Sequence, residues 1–407
     1  MTKKNCYPLV IITLLFAFIL IGQMKVFAGD AINIPAISSE IRTQIDSFNN
    51  QSGRTFFIDA IINDKQQTQL VGVTNQPKDF LALKDLLKKK KIEFIDSVSL
   101  QPNPTLGIEI YGVITVSVAN LRSRPYHSAE LATQAMLGTP VNILDKTGNW
   151  LLIQTPDKYT SWIEESGLTV MNRQAINQWI AARKVVYYKN YGNSYEKADT
   201  KSQTISDVVI CNVFEYISEN KNFIKVMYPD KRIAFIKKND CIDFNKWVNI
   251  PNPTPDDIIK TAKTFTGIPY LWGGTSSKGL DCSGFTKLTF LIHGIIIQRD
   301  ASQQANYGNI KENHPFDQLQ PGNLLFFGEK DEKTGNESIT HVAIYMNNKQ
   351  FIHASGKVCY NSFDKTSAIF SQYRTDSFVK ASDYISTIGT TNITKIKNSV
   401  FYNKHSQ

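Results

Sequence analysis

At 407 residues the chain exceeds one ordinary domain, and two to four domains are expected. Its 42% apolar and 20% charged residues exclude wholesale disorder. The 45 Lys and Arg against 36 Asp and Glu leave a net charge of +9, too mild to point to nucleic acid; the one tight basic run, Lys88 to Lys91, reads as a solvated helix end.

The N-terminus reads as an export signal covering residues 1–28. Lys3 and Lys4 supply a positive start, Leu9 to Ile21 is apolar apart from Thr13, and Val26-Phe27-Ala28 precedes a cut after Ala28. The 13-residue apolar run is shorter than the roughly 20 residues of a membrane span, so an uncleaved anchor is the lesser alternative. The expectation is a periplasmic, extracellular or envelope protein with no stable membrane insertion after cleavage. Losing Lys3, Lys4 and Lys25 and no acid lowers the charge from +9 to +6.

Residues 29–107 read as a small α/β unit, with strands at 55–62, 69–73 and 92–98 and a helix at 79–90, closed by the linker Gln101-Pro102-Asn103-Pro104. No chemistry is visible in it. Residues 108–171 carry short β-type runs at 112–118, 134–136, 141–145, 150–155 and 161–163, with a hairpin loop at Lys146 to Asn149; this spacing predicts a small barrel. Residues 172–248 repeat the pattern more loosely, with runs at 185–188, 208–213, 223–228 and 232–236, as a duplicated barrel would. Pro251 to Pro255 is the clearest linker. Thr254 is placed to cap a helix that starts at Pro255, has Asp256 and Asp257 at its positive end and runs to about Thr266. A third section occupies residues 255–380, and residues 381–407 read as a loose polar extension.

The third section carries the chemistry. Asp281 is a helix N-cap ahead of the apolar run Phe285, Leu288, Leu291 and Ile292, which sets Cys282 in the first helical turn. The backbone N–H groups and dipole at that position favour a thiolate, the prepared nucleophile of covalent catalysis. By itself a lone Cys is more often inert and buried. The strands His341 to Tyr345 and Gln350 to Ala354 flank Asn347-Asn348 and form a hairpin. With a loop at 346–348, residues 345 and 349, 343 and 351, and 341 and 353 pair, so His341 and His353 lie directly opposite on one face; a two-residue loop would put them on opposite faces. A base and a group that orients it are then available to the thiol. His127, His293, His314 and His405 receive no catalytic role. No Cys-x-x-Cys occurs, and neither metal nor cofactor is expected. Cys211 and Cys241 either pair or stand as two separate thiols.

Five segments in this order, Tyr270-Leu271-Trp272-Gly273-Gly274, Asp281-Cys282-Ser283-Gly284-Phe285, Pro321 to Phe327, His341 to Tyr345 and Phe351 to Ala354, resemble the NlpC-type cysteine peptidases. The resemblance implies an α+β fold: a papain-like catalytic domain preceded by two SH3-like β-barrels and the small N-terminal α/β unit. It implies Cys282 as nucleophile, His341 as base, His353 as polar third member, and the Cys282 backbone N–H as an oxyanion donor. The domain order is similar to that of γ-D-glutamyl-L-diamino acid endopeptidases. These cut murein-derived peptides of the L-Ala-γ-D-Glu-diamino acid type with a free N-terminal alanine, in cell-wall turnover or recycling. Asp281 is then the buried anion for the ammonium group, with Tyr270, Trp272, Ser283 and, more weakly, Ser302 lining the pocket. Glu130 and Tyr159, in the first barrel, roof it. The alternatives are a helix cap only for Asp281, a surface acid for Glu130 and a solvated aromatic for Tyr159. Asn323, Thr340, Lys158 and Ser161 depart from the family pattern, the last two replacing glycines near Tyr159. A monomer is expected. The competing readings are a wall-binding scaffold with a degenerate catalytic section, and an amidase or acyltransferase that uses the same thiolate.

Overall fold

A computed structural model describes residues 56–312, 316, 318–331, 333–390 and 392–403. The expected export signal at 1–28, residues 29–55 of the expected α/β unit, His314 and His405 lie outside the described residues. The chain forms two compact units that divide between Pro104 and Thr105.

In the first unit, β1 (Phe56–Ile62) pairs antiparallel with β2 (Thr68–Thr74), and β2 pairs parallel with β3 (Ile95–Leu100). The intervening α1 (Pro77–Lys89) starts at Pro77, where the missing N–H costs nothing, and ends in Lys88 and Lys89 beside its negative pole. Its Phe80, Leu83 and Leu87 bury against Ile58, Ala60 and Leu70.

The second unit opens with two seven-stranded sheets. The first contains β4 (Tyr111–Ile114), β5 (Val118–Arg122), β6 (Leu131–Met136), β7 (Pro140–Thr147), β8 (Trp150–Gln154), β9 (Thr160–Glu164) and β10 (Leu168–Met171), in spatial order 10-4-7-8-9-5-6. Helix α2 (Arg173–Ala181) follows. The second contains β11 (Lys184–Tyr187), β12 (Tyr191–Tyr195), β13 (Thr204–Val209), β14 (Val213–Glu219), β15 (Phe223–Met227), β16 (Ile233–Lys237) and β17 (Cys241–Asp243), in order 17-11-14-15-16-12-13, with α3 (Phe244–Val248) after it. Matched strand for strand, the two orders are the same. The expected run 112–118 is broken into β4 and β5, and the expected run 208–213 turns at Cys211, whose φ is +67°. The 146–149 loop is tighter than expected, because Thr147 and Trp150 pair directly. Short apolar runs do not reveal such breaks, because a turn within them leaves the alternation intact. Cys211 and Cys241 are both free thiols.

The remaining section begins with α4 (Pro255–Lys263). Thr254 and Asp257 close a reciprocal capping box at its start, and the helix stops at Lys263, three residues short of the expected end. After the two-stranded β18 (Thr275–Ser276) and β19 (Gly279–Leu280) come α5 (Cys282–Ile292), β20 (Ile295–Ile296), α6 (Ala301–Gln304) and β21 (Asn309–Glu312). Then follow β22 (Leu324–Lys330), β23 (Glu337–Asn347), β24 (Gln350–Ser355), β25 (Lys357–Ser362), α7 (Gln372–Asp376) and β26 (Phe378–Asp383). The six-stranded sheet has order 21-26-22-23-24-25. Val342, Ile344, Ile352 and Ala354 share one core with Phe285 and Leu288 of α5; Phe327, Ala343, Tyr345 and Phe351 build a second.

The C-terminal segment is not the loose extension expected. β26 crosses the 380/381 boundary, and β27 (Thr394–Lys395) pairs with β20. Ile393 and Ile396 are fully buried in the core that contains α5. The segment is polar on average, but a few apolar residues two or three apart are enough to anchor it.

Candidate active site

The Asp281 carboxylate caps α5 by accepting from the Gly284 N–H at 2.7 Å, and it also accepts from the Gly273 N–H at 2.9 Å. One side chain thereby ties the Trp272-Gly273-Gly274 loop to the start of α5. Both glycines are required by space. A Cβ on Gly284 would lie 2.0 Å from the Gly274 carbonyl oxygen, and one on Gly273, where φ is +79°, would lie 2.2 Å from that of Leu131.

Cys282 is buried as the first residue of α5. The backbone of Val342 and Ser283 lies close enough to its sulfur to favour the thiolate. The helix start does not by itself produce the thiolate expected from sequence. Burial and the neighbouring Asp281 carboxylate push the thiol up to about 11, against the opposing pull of the backbone groups and Arg299.

His341 and His353 meet, but not through the expected register. The turn is Asn348-Lys349, both left-handed with φ of 45° and 60°, and it closes Asn347 against Gln350. Alone, this two-residue turn would put the histidines on opposite faces. Met346 is an extra residue between the Tyr345–Phe351 and Asn347–Gln350 pairs, and this bulge restores the parity. The two rings lie diagonally on one face, with His341 Nε2 2.8 Å from His353 Nδ1. A second bulge precedes His341: Phe327 pairs with His341 and Gly328 with Ile339, leaving Thr340 unpaired.

The proton positions follow from a residue that sequence reasoning missed. Asn361 donates its Nδ2 to the Ile369 carbonyl at 3.0 Å, which turns its Oδ1 toward His353 Nε2 at 2.9 Å. His353 Nε2–H therefore donates to Asn361, and neutral Nδ1 accepts from His341 Nε2–H. His341 is left with a lone pair on Nδ1, the form a general base requires. Burial, then Arg374, then His353 depress His341 well below its usual value. Burial and Arg374 bring His353 down to about 4, against the opposing effect of Asn361. Burial thus favours the uncharged form of both groups, the thiol of Cys282 and the neutral imidazole of His341.

Asp281 is not an open anion. Arg299 Nη2 and Nη1 reach its two oxygens at 2.5 and 3.2 Å. Arg299 also donates to Ser283 Oγ at 2.9 Å and, through Nε, to Thr133 Oγ1 of β6 at 2.8 Å. Asp281 and Ser283 are consequently saturated from within the protein. An incoming ammonium group would have to displace a buried bidentate ion pair.

Asp300, which the sequence reading passed over, is half-buried at the N-cap of α6, in a reciprocal capping box with Gln303, and no cation is paired with it among the described residues. Burial raises its pKa against the pull of Arg299. Tyr159 belongs to the same neighbourhood: burial and then Asp300 raise its pKa, with Arg299, Asp157 and Glu130 also acting on it. Glu130 is exposed and accepts from Trp272 Nε1 at 2.6 Å, which joins the first barrel to the Gly273 loop. A cleft of about 640 Å³ opens there, lined by Arg122, Glu130, Leu131, Leu271, Trp272 and Lys278. Tyr270 faces Cys282 and Asp281; burial foremost, then these two groups, push its phenol up to about 12. Ser302 stands exposed on α6. His293 bonds to Thr261 at 2.9 Å, and His127 stacks edgewise on Trp150. Among the described residues, no three His, Cys, Asp or Glu side chains converge as metal ligands.

A buried cysteine at a helix start, with a polarised pair of histidines on the adjoining sheet, defines a thiol hydrolase site. Residues 267–381 match the NlpC/P60 family, and residues 121–168 match the bacterial dipeptidyl-peptidase SH3 domain. The chain is 34% identical over 238 residues to the gamma-D-glutamyl-L-lysine dipeptidyl-peptidase of Bacillus cereus, covering 55% of this chain and 67% of that protein. It is 26% identical over 276 residues to dipeptidyl-peptidase 6 of Lysinibacillus sphaericus, covering 64% and 94%. A crystal structure of an NlpC/P60 family protein from Bacillus cereus superposes with a TM-score of 0.57 at 27% identity, covering 68% of this chain and 99% of the other. This chain belongs to the NlpC/P60 family.

Proposed function

We propose that the protein is a cysteine peptidase that hydrolyses the γ-D-glutamyl–diamino acid bond of murein-derived peptides with a free N-terminal L-alanine. The observation that carries this reading is the relay Asn361–His353–His341, which leaves a basic nitrogen on β23, the strand whose Val342 shares a core with Phe285 of the Cys282 helix. His341 Nδ1 accepts the Cys282 proton as sulfur attacks the amide carbon, so the proton moves during attack rather than before it. The same proton passes to the leaving amine as the C–N bond breaks. Water, deprotonated by the same nitrogen, then cleaves the thioester and restores the thiol. The bond class is that named for the Bacillus cereus relative.

The amine is received by Asp300, with Tyr159 and Glu130 closing over it, rather than by Asp281. Support for this comes from the saturation of Asp281 by Arg299 and from the electrostatic grouping of Tyr159 with Asp300 and Glu130. The protein acts as a monomer after export, in wall turnover or recycling; the N-terminal pattern of Lys3, Lys4 and the apolar run supports the location.

The test is hydrolysis of L-Ala-γ-D-Glu-diamino acid peptides. Cys282→Ala and His341→Ala abolish turnover while the fold persists. N-acetylating the alanine reduces kcat/KM strongly in the wild type, and Asp300→Asn reduces that discrimination. Turnover near wild type by Cys282→Ala would refute the mechanism, and equal rates on free and acetylated peptides would refute the amine site.

A further inference from the structure

Arg374 lies on α7, whose first turn is capped by Ser371. Its guanidinium rests over the ring of Phe327 at 5.4 Å and that of Tyr373 at 5.0 Å, and Phe327 in turn packs against His341 at 5.8 Å. Arg374 is half-buried. Among the described residues its guanidinium has no carboxylate partner and no hydrogen bond.

Three other cations near the site are paired with carboxylates. Arg299 holds Asp281, Lys287 holds Asp157 at 2.5 Å, and Lys278 holds Asp207 at 2.6 Å. An unpaired cation set partly into protein costs free energy. Here it also opposes the protonation of His341 and His353. A planar fork with five donors, stacked on an aromatic ring and lacking an internal acceptor, is built to receive a carboxylate from outside.

Its place relative to the nucleophile is defined. Arg299, Tyr159 and Asp300 cluster on the side of the first barrel. Arg374 comes from the segment between β25 and β26 and acts on Cys282, Tyr270 and Cys359. Cys282 and Tyr270 feel both arginines, of which Arg299 is tied to the first barrel through Thr133 and Arg374 rests on Phe327 beside His341. A peptide whose amine is held at Asp300 and whose amide lies at Cys282 sends its leaving residue toward Arg374.

We propose that Arg374 is a carboxylate-binding subsite on the leaving-group side, one that takes the free C-terminal carboxylate of the residue released by cleavage. This rests on the peptidase reading above. The enzyme therefore favours peptides that end at the diamino acid over longer or amidated ones.

Three peptides test it: L-Ala-γ-D-Glu-diamino acid, the same peptide amidated at its C-terminus, and the same peptide amidated at the glutamate α-carboxylate. For the wild type, C-terminal amidation lowers kcat/KM by about 10- to 100-fold, the loss of one charge-assisted pair. Arg374→Met loses a similar factor on the free peptide and no longer distinguishes it from the C-terminal amide; Arg374→Lys keeps part of the preference. Calorimetric binding of the same peptides to Cys282→Ala, with and without Arg374→Met, shows the same pattern without chemistry. An equal loss by Arg374→Met on all three peptides would overturn the subsite, because a general field effect on Cys282 and His341 does that. So would sensitivity that follows the glutamate carboxylate. If the wild type cleaves none of the peptides the peptidase reading fails, and the binding comparison still decides whether Arg374 reads the carboxylate.

Discussion

At the residue scale, the site depends on two buried histidines that are held neutral. With burial depressing His353 to about 4 and His341 well below its usual value, the folded protein binds fewer protons than the unfolded chain below pH 6.5. Stability therefore rises with pH through this window. The histidine contribution is complete above about 6.5 and is lost as pH falls toward 4, at about one proton per histidine. His353→Asn should reduce the steepness of this acid destabilisation by about one proton, read from urea midpoints between pH 4 and 7. An unchanged slope would mean that His353 titrates normally in the fold. Ser161 is a residue-scale cost of a different kind: among the described residues its hydroxyl is buried without a hydrogen-bond partner.

At the element scale, geometry is set by extra residues and by missing side chains. Met346 and Thr340 each add one residue to β23, and the bulge at Met346 gives His341 the same face as His353. Gly273 works by absence, since its left-handed backbone passes against Leu131 with no room for a methyl group. Gly273→Ala is expected to destabilise by about 1–2 kcal/mol from the backbone alone, before any clash. It should also lower kcat/KM, because the loop that holds Trp272 and bonds to Asp281 must move. Thermal unfolding and peptide turnover check both, and wild-type values for each would remove the steric account.

For the whole molecule, the first barrel is part of the site. Asp157 of the β8–β9 loop is buried against Lys287 of α5; burial pushes its pKa up, and Lys287 outweighs it. That pair fastens the Tyr159 loop to the nucleophile helix, as Thr133 with Arg299 and Gln134 with Thr275 fasten β6. Lys287→Met leaves Asp157 buried without a partner and is expected to cost about 3–5 kcal/mol. Pairing it with Asp157→Asn should recover much of the stability while KM stays raised, because the roof over the amine is no longer held. Denaturant titration and steady-state kinetics on the two variants separate packing from recognition; a normal KM in the double variant would show that the loop holds its place without the pair.

The sequence by itself determined the identities that carry chemistry: a cysteine at a capped helix start, two histidines on one hairpin, a Trp-Gly-Gly loop, and β-type runs in two successive groups. These were legible because caps, turns and alternation act over a few residues. Only the tertiary structure decided what each group faces. Arg299 neutralises Asp281 from 18 positions away, Asn361 sets the tautomer through a third strand, and the C-terminal Ile393 and Ile396 close the core that contains the nucleophile helix. Each of these depends on long-range burial and charge pairing, which leave no local pattern in the chain. For the same reason the helix start could announce a nucleophile, but only the fold shows that the enclosed Asp281 and the dry surroundings of Cys282 work against its thiolate.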